Sequence, residues 1–339
     1  MREKKNLKQK LRELFGKDRD RYYSGEELAD TFGVTRAAVW KAIEALRTEG
    51  IEISGTPRLG YRLAPDSDIF NEAGISVLLN DDASHFYRIE CYDTVTSTNT
   101  VLKERSADAV SEGLVVIAEQ QTAGRGRMGR SFYSPKGSGI YISIFLRPEI
   151  PATEAVNITA AAAVAAAAAV ESSFPDIGSG SVGIKWVNDL YLCGHKICGI
   201  LTEGMLSMES GRLDYAIVGV GFNLSTPEGG WPEEIKDVAG SLPDGIAGVG
   251  ARTKICASFL NHFLSCYRGL GSRAFLEEYR RRMFITGKEV DVIKSNGESR
   301  AAEVLGIDEK CRLLVRYSDD GLEEAVSSGE VRVRISKTD

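Results

Sequence analysis

Histidine is scarce in this chain: three residues in 339, His85, His195 and His262. None precedes an Arg-Asp pair and no D-F-G triplet occurs, which excludes a protein kinase. Nor can a Ser-His-Asp or Cys-His set be assembled for covalent catalysis. Six cysteines are scattered along the chain without a CxxC pair, so neither a disulfide ladder nor a redox motif is expected, and a reducing cytoplasm suits them. The segment CGHKIC, residues 193–198, has the wrong spacing for a tetrahedral zinc site and no second pair nearby. It reads as a hairpin, and no resident metal is expected. Long apolar runs are also missing. ITAAAAVAAAAAV, residues 158–170, is too short and too Ala-rich to cross a bilayer, so a buried helix and no membrane association are expected. MREKKNLKQK at the start lacks the apolar stretch of a signal peptide, and no repeat or disordered tract is evident.

A composition of 43% hydrophobic and 27% charged residues is that of an ordinary globular protein, and the length suits two or three domains. The net charge of −6 is unevenly spread. Residues 1–64 carry 14 Lys+Arg against 10 Asp+Glu, and the rest 28 against 38. Only this basic head is suited to meet nucleic acid.

The head reads as three helices and a hairpin. Leu7, Leu11, Leu14 and Phe15 have helical spacing. Ser24 and Glu27 form a capping-box start to a helix ending at Gly33. Thr35 is the N-cap of TRAAVWKAIEALRTEG, which stops at Gly50. Val39, Ile43 and Leu46 stripe its inner face, leaving Arg36, Ala37, Trp40, Lys41 and Arg47 outside. IEISGTPRLGYRLA then supplies a two-stranded wing. This is a winged helix-turn-helix, and Thr35, Arg36, Ala37, Trp40 and Lys41 are its candidate DNA-binding residues. The alternative is a solvated basic helix in a structural module.

PDSDIFNEAG, residues 65–74, marks a linker or short connecting helix. Residues 75–284 mix strands and helices: strands at 113–121 and 140–146, a long Ala-rich helix at 154–174, strands GIKWVNDLYL and HKICGILTEG, a strand LDYAIVGVGFNL ending in a glycine-rich turn, and two amphipathic helices. Residues 285–339 read as five short strands, with turns at Asn296-Gly297 and Asp320-Gly321, consistent with a small SH3-like barrel.

Within the middle segment, GRGRMGR at residues 124–130 fits G-x-G-x-x-G through Gly124, Gly126 and Gly129. A dinucleotide fingerprint needs a helix after the glycines. Here SFYSPKGSGIYISIFL leads into a second strand instead. What remains is a glycine loop bearing Arg125, Arg127 and Arg130, whose mutual repulsion a polyanion would relieve. In KWVNDLY, residues 185–191, Lys185 sits in an apolar strand, which is costly unless it meets an anion. Asn188 and Asp189 follow on a turn. Asp189 reads first as a turn cap and second as an oxygen ligand for Mg²⁺. In DTVTSTNT, one of Ser97, Thr98 and Asn99 caps a helix and the other two can face a pocket.

Taken in order, STN, QQTAGRGRMGRSFYSPKGSGIYISI, KWVNDLY with KICGILTE, and GVGFNL resemble the biotin–protein ligases. With the winged helix in front, nearly the whole chain resembles the bifunctional biotin ligase and biotin operon repressor, the BirA type. Val187, where many members have proline, and Thr122 beside Gln121 depart from that pattern.

The resemblance implies an α+β multidomain protein with three parts: the winged helix-turn-helix, a central mixed α/β ligase domain of class II synthetase-like, biotin/lipoate ligase type, and the SH3-like barrel. It also implies an ATP-dependent ligase acting with Mg²⁺, forming biotinyl-5′-AMP and passing biotin to a lysine of apo biotin carboxyl carrier protein of acetyl-CoA carboxylase type. Lys185 would bridge the biotin carboxyl oxygen and the α-phosphate. Arg125 and Arg127 would cover the phosphates, and Gly126 would let the backbone approach. Ser97, Thr98, Asn99 and Gln121 would meet the ureido ring. Gly124, Gly129, Asn188 and Trp231 are further adenylate-site candidates, Trp231 being either a surface-packed ring or a cover for the adenine. The same resemblance implies a homodimer when biotinyl-5′-AMP is bound, repressing biotin synthesis and transport genes at operator DNA with the adenylate as corepressor. A lipoate-type ligase, a biotin sensor without catalysis, and a ligase whose head no longer represses are the rival readings.

Overall fold

The computed structural model describes residues 7–18, 21–48, 51, 53–64, 70–106, 110–207, 211–243, 246, 250–294, 297–328 and 331–335. Gly50, Asn296 and residues 65–69 of the expected linker lie outside them.

The head contains α1 (Leu7–Lys17), α2 (Gly25–Phe32), α3 (Arg36–Thr48), and a hairpin of β1 (Ile53–Thr56) and β2 (Gly60–Leu63). Its core is separate from the rest and includes Leu11, Phe15, Leu28, Val39, Ile43, Leu46 and Leu63. Ser24 caps α2 by accepting from the Glu27 amide at 3.0 Å. The capping box is only half made, because the Glu27 carboxylate turns to Arg21 at 2.6 Å. Gly33 ends α2 in the left-handed region, φ 64°, where glycine has no steric penalty. Thr35 Oγ1 accepts from the Ala38 amide at 3.2 Å, as an N-cap does. Arg47 departs from the expected outer face. It folds back to donate to Ile53 O at 2.7–2.9 Å and pairs with Glu44, so it braces the wing.

The body continues with α4 (Glu72–Val77), α5 (Asp81–Phe86), β3 (Arg88–Val95), α6 (Thr98–Arg105), β4 (Leu114–Gln121), β5 (Gly139–Leu146), α7 (Ala155–Ser173), β6 (Gly183–Lys185), β7 (Asp189–Leu192), β8 (His195–Leu206), β9 (Leu213–Asn223), α8 (Ala251–Arg268) and α9 (Phe275–Arg282). The strands form one seven-stranded sheet in the order β3-β4-β5-β9-β8-β7-β6. Only β3 and β4 pair in parallel. All eight residues of β5 are buried. It lies mid-sheet with both faces covered, which explains the unbroken apolar run IYISIFL. One face carries α7 and α8. The other carries α6, where Leu102 packs with Val116, Phe145 and Ile217. The 152–173 stretch is apolar and long enough to cross a membrane, but Asn157–Ala167 are all buried within the protein.

Two expectations for the strands change. GIKWVNDLYL is not one strand. Lys185 ends β6, Trp186–Asn188 turn, and Asp189 opens β7 opposite Lys185. The glycines of GVGFNL lie inside β9 rather than in a turn after it. A Cβ on Gly219 would sit 2.3 Å from Asn99 Oδ1, and one on Gly221 2.4 Å from the Phe132 ring. Close approach, not turning, requires glycine there.

The C-terminal strands are β10 (Glu289–Lys294), β11 (Ser299–Ile307), β12 (Leu313–Tyr317), β13 (Glu323–Val326) and β14 (Val331–Ile335). They form an antiparallel sheet ordered β13-β12-β11-β10-β14, with no β13–β14 pairing among the described residues. Trp186 Nε1 donates to Cys311 O at 2.9 Å, so this sheet is fastened to the turn that follows Lys185.

Candidate functional site

Four separated segments converge on one cavity of about 580 Å³, a size suited to a small ligand and part of a nucleotide. Its walls include Ser97, Thr98, Asn99, Gln121, Arg125, Gly126, Arg127, Lys185, Asn188 and Trp231. Gly124 and Gly129 belong to the same loop but do not line the cavity.

The segment STN enters α6 where the helix meets β5. Ser97 takes the N-cap geometry yet makes no side-chain cap bond, and its buried side chain borders the cavity instead. Thr98 is held on both sides: its amide and hydroxyl reach Gln121 Oε1 at 2.9 and 3.2 Å. Gln121 Nε2 donates to Ser134 at 2.9 Å. Ser143 Oγ on β5 lies 2.6 Å from both Thr98 Oγ1 and Asn99 Oδ1. Asn99 Nδ2 donates to Glu203 Oε2 at 2.9 Å. Thus Thr98 and Gln121 form a preset polar pair, and the side-chain amides of Gln121 and Asn99 are each engaged at both ends by the protein.

The glycine loop is a tight excursion rather than a loose one. Gly126 N–H donates to Arg130 O at 2.7 Å, and Phe132 N–H to Gly124 O at 2.9 Å. Gly124 is the glycine that packing demands, since a Cβ there would lie 2.3 Å from Phe132 O. Gly126 has an extended backbone, φ −116°, and space for a Cβ at 3.4 Å from its nearest neighbour. No protein atom requires it to be glycine. Gly129 has φ 73°.

Arg125 Nη1 lies 3.1 Å from Glu203 Oε1. Arg127 meets neutral acceptors, Asn188 Oδ1 at 3.0 Å and Ser328 O. Burial holds the Arg127 guanidinium below its ordinary pKa, and Asp189 and Tyr279 offset this only in part. Arginine stays charged through such a shift, so a partly buried cation with no carboxylate at ion-pair distance among the described residues faces the cavity.

Lys185 is half-buried at the end of β6 and lines the cavity. Asp189 departs from its expected role as a turn cap. It stands in β7 and pairs with Lys196 at 2.7 Å, while Asn188 Nδ2 reaches the same oxygen at 2.9 Å. Lys196 is itself fixed by the loop that carries Trp231: its amide donates to Val238 O at 2.8 Å, and its carbonyl accepts from Gly240 at 2.9 Å. Trp231 lines the cavity 6.4 Å from the Tyr133 ring, edge to face. On the head, Thr35, Arg36, Ala37, Trp40 and Lys41 are all exposed along the start of α3, and Trp40 is 54% exposed.

Sequence reasoning missed Glu203, Lys196 and Phe132. The sequence signal for Phe132 was the glycine pair Gly199 and Gly221, whose absent side chains make room for its ring. Lys196 and Glu203 lie in KICGILTE, one of the segments that carried the resemblance.

Residues 91–223 match the biotin/lipoate A/B protein ligase family, residues 7–62 an HTH domain, and residues 285–334 the biotin protein ligase C terminal domain. The chain is 36% identical over 262 residues to the bifunctional ligase/repressor BirA of Bacillus subtilis, covering 77% of each. It is 33% identical over 204 residues to that of Escherichia coli, covering 60% of each. Among solved structures, the biotin protein ligase from Aquifex aeolicus in complex with biotin and ATP superposes with a TM-score of 0.60 at 29% identity, covering 74% of this chain and 100% of that one. The winged head, the seven-stranded body with its cationic cavity and the C-terminal sheet are therefore those of the bifunctional ligase/repressor BirA family, to which this chain belongs.

Proposed function

We propose that the chain is an ATP-dependent biotin–protein ligase that also represses transcription through its winged head. The observation that carries this reading is the convergence of Lys185, Arg127 and the Thr98–Gln121 pair on one cavity. Fixed cations face fixed hydrogen-bonding groups there, as joining a carboxylate to a phosphate requires.

In the first step a biotin carboxylate oxygen attacks the α-phosphorus of ATP. The bond to the β-phosphate oxygen breaks, and pyrophosphate leaves with its electrons. Two anions must approach, so preset positive charge is the main contribution the protein makes. Lys185 is the residue for the carboxylate and α-phosphate, and Arg127 for the adenylate. Arg125, already paired with Glu203, contributes less net charge. Thr98 and Gln121 are the residues for the ureido ring, with Ser97 beside them. In the second step a lysine amine of a carrier protein attacks the acyl carbon, AMP departs, and the amine proton is lost. Gly124 and Gly129 shape the loop, and Asn188 holds Arg127. Trp231, which lines the cavity, is the residue for covering the adenine.

Mg²⁺ is held here to enter on the nucleotide. Asp189 Oδ1 is taken by Lys196 and Asn188, and no group of three His, Cys, Asp or Glu suited to a metal occurs among the described residues. A magnesium ion bound mainly through phosphates and waters fits such a site. Residues 1–64, 65–74, 75–284 and 285–339 are the proposed head, linker, ligase domain and barrel. The carrier is a biotin carboxyl carrier protein. The adenylate-bound chain dimerises on a two-fold operator, with Thr35, Arg36, Ala37, Trp40 and Lys41 at the DNA. Six free cysteines suit the reducing cytoplasm.

The test is biotin-dependent exchange of labelled pyrophosphate into ATP, with lipoate as the control acid. Exchange with biotin alone is expected. Lys185→Ala is expected to lower it by about a hundredfold or more, in the range seen when one electrostatic donor is removed, with the circular dichroism unchanged. Wild-type exchange in that variant would end its assigned role.

A further inference from the structure

Glu203 is a four-fifths buried carboxylate behind the cavity wall, and both of its oxygens are engaged. Oε2 accepts from Asn99 Nδ2 at 2.9 Å, and Oε1 lies 3.1 Å from Arg125 Nη1. Asn99 cannot move aside. Ser143, with no exposed surface, sits 2.6 Å from its Oδ1, and β9 passes so close that a Cβ on Gly219 would overlap it. The result is a relay, Ser143–Asn99–Glu203–Arg125, that carries the rigid geometry of the sheet out to the glycine loop. Contact through Nη1 leaves the other edge of the guanidinium for the cavity. Arg127, two residues on, is tied to Asn188 and Ser328 by neutral acceptors. The loop is thus pinned at two points, one charged and one not.

We infer that Glu203 is a positioning residue: through Asn99 it fixes Arg125 and so holds the glycine loop closed over biotinyl-adenylate. The inference rests on the proposed ligase reading, and it reassigns Asn99 from substrate contact to anchor. An ion pair of this kind, with the arginine side chain 46% exposed, sets the scale of the effect.

The experiment measures the half-life of biotinyl-adenylate on the full-length enzyme without acceptor, beside pyrophosphate exchange and the thermal midpoint. Glu203→Ala is expected to shorten the half-life about tenfold, the equivalent of about 1.4 kcal/mol, while exchange turnover changes less than about threefold. Glu203→Gln should fail similarly, because its amide turns an N–H toward either Asn99 or Arg125, both donors. Combining it with Asn99→Asp moves the carboxylate one step along the relay and restores acceptors for both donors, so the half-life should recover. That recovery is a readout a merely structural role would not produce. A wild-type half-life in Glu203→Ala, or loss in the double variant equal to that in Glu203→Gln at an unchanged midpoint, would overturn the inference. If the wild-type protein forms no adenylate at all, the ligase reading itself fails.

Discussion

At the residue scale, the site depends as much on side chains that are missing as on those present. Gly199 and Gly221 clear a space that the Phe132 ring fills, at 2.9 and 2.4 Å from where their Cβ atoms would be. A ring edge cannot give way by half an ångström without moving its backbone, and Phe132 N–H is bonded to Gly124 O. Gly221→Ala should therefore displace the glycine loop. The expected outcome is a rise of about tenfold in KM for biotin and an overpacking cost of about 1–3 kcal/mol, measured by exchange kinetics and chemical denaturation. An unchanged KM would show that Phe132 does not shape the substrate space. Lys185→Ala and Glu203→Ala, argued above, probe the same scale from the charged side. Lys185 was legible in the sequence because an amine in an apolar strand demands an anion. Glu203 was not, because its partner Arg125 lies 78 residues away and meets it only through the sheet order β4-β5-β9-β8.

At the scale of elements, the floor of the body is tied by a buried ion pair. Arg282 on α9, with 5% side-chain exposure, grips Glu171 on α7 through two nitrogens at 2.7 and 2.9 Å. Burial pushes the Glu171 carboxyl up, but Arg282 and the amides of Val182 and Gly180 outweigh it, and the net is a lowered pKa. Its folded-state value lies below its unfolded one. The stabilisation is then fully present above the ordinary glutamate pKa of about 4.3 and is lost as the pH falls through the depressed value. Arg282→Leu leaves the Glu171 carboxylate buried without its partner and should cost about 3–5 kcal/mol at neutral pH. Its acid limb should also be shallower than that of the wild type, which parallel urea melts at pH 7 and pH 4 would test. The same melts giving equal losses at both pH values would show that the pair carries no pH-linked stability. The Ala-rich α7 was evident from composition, and its burial followed. Its ion-pair partner was not, since α9 carries three consecutive arginines, Arg280, Arg281 and Arg282, and only packing distinguishes the inward one.

At the scale of the whole molecule, two chemistries stand on separate cores. The head has its own hydrophobic cluster, and the described contacts between head and body include Arg12 to Asp93 at 3.6 Å and the packing of α1 against α4. Substitutions on the exposed start of α3 should therefore leave adenylation alone. Arg36→Ala with Lys41→Ala is expected to weaken operator binding and to reduce the slope of log affinity against log salt by about 1 per phosphate contact removed. Pyrophosphate exchange should be unchanged. A parallel fall in exchange would mean that head and cavity are energetically coupled before any DNA is present. The opposite arrangement holds at the other end, where the C-terminal sheet reaches the cavity itself: Ile293 lines it, Trp186 bonds to Cys311 O, and Arg127 bonds to Ser328 O.

Local chemistry could be read without coordinates. Caps, the apolar stripe of α3, the glycine–arginine loop and the strand lysine each rest on neighbours within a few residues, so their physics is contained in short segments. Tertiary structure alone decided which groups answer one another. Asp189 turned from a turn cap into the partner of Lys196 because β7 lies beside β8. Asn99, besides lining the cavity, meets Ser143 because β5 and β9 close around it. Arg47 turned inward to Ile53 O because the wing folds over α3. Asp189 and Arg47 found partners six or seven residues away once a hairpin or the wing folded back, and Asn99 met Ser143 across 44 residues through the sheet order; spacing alone gives none of these distances of about 3 Å.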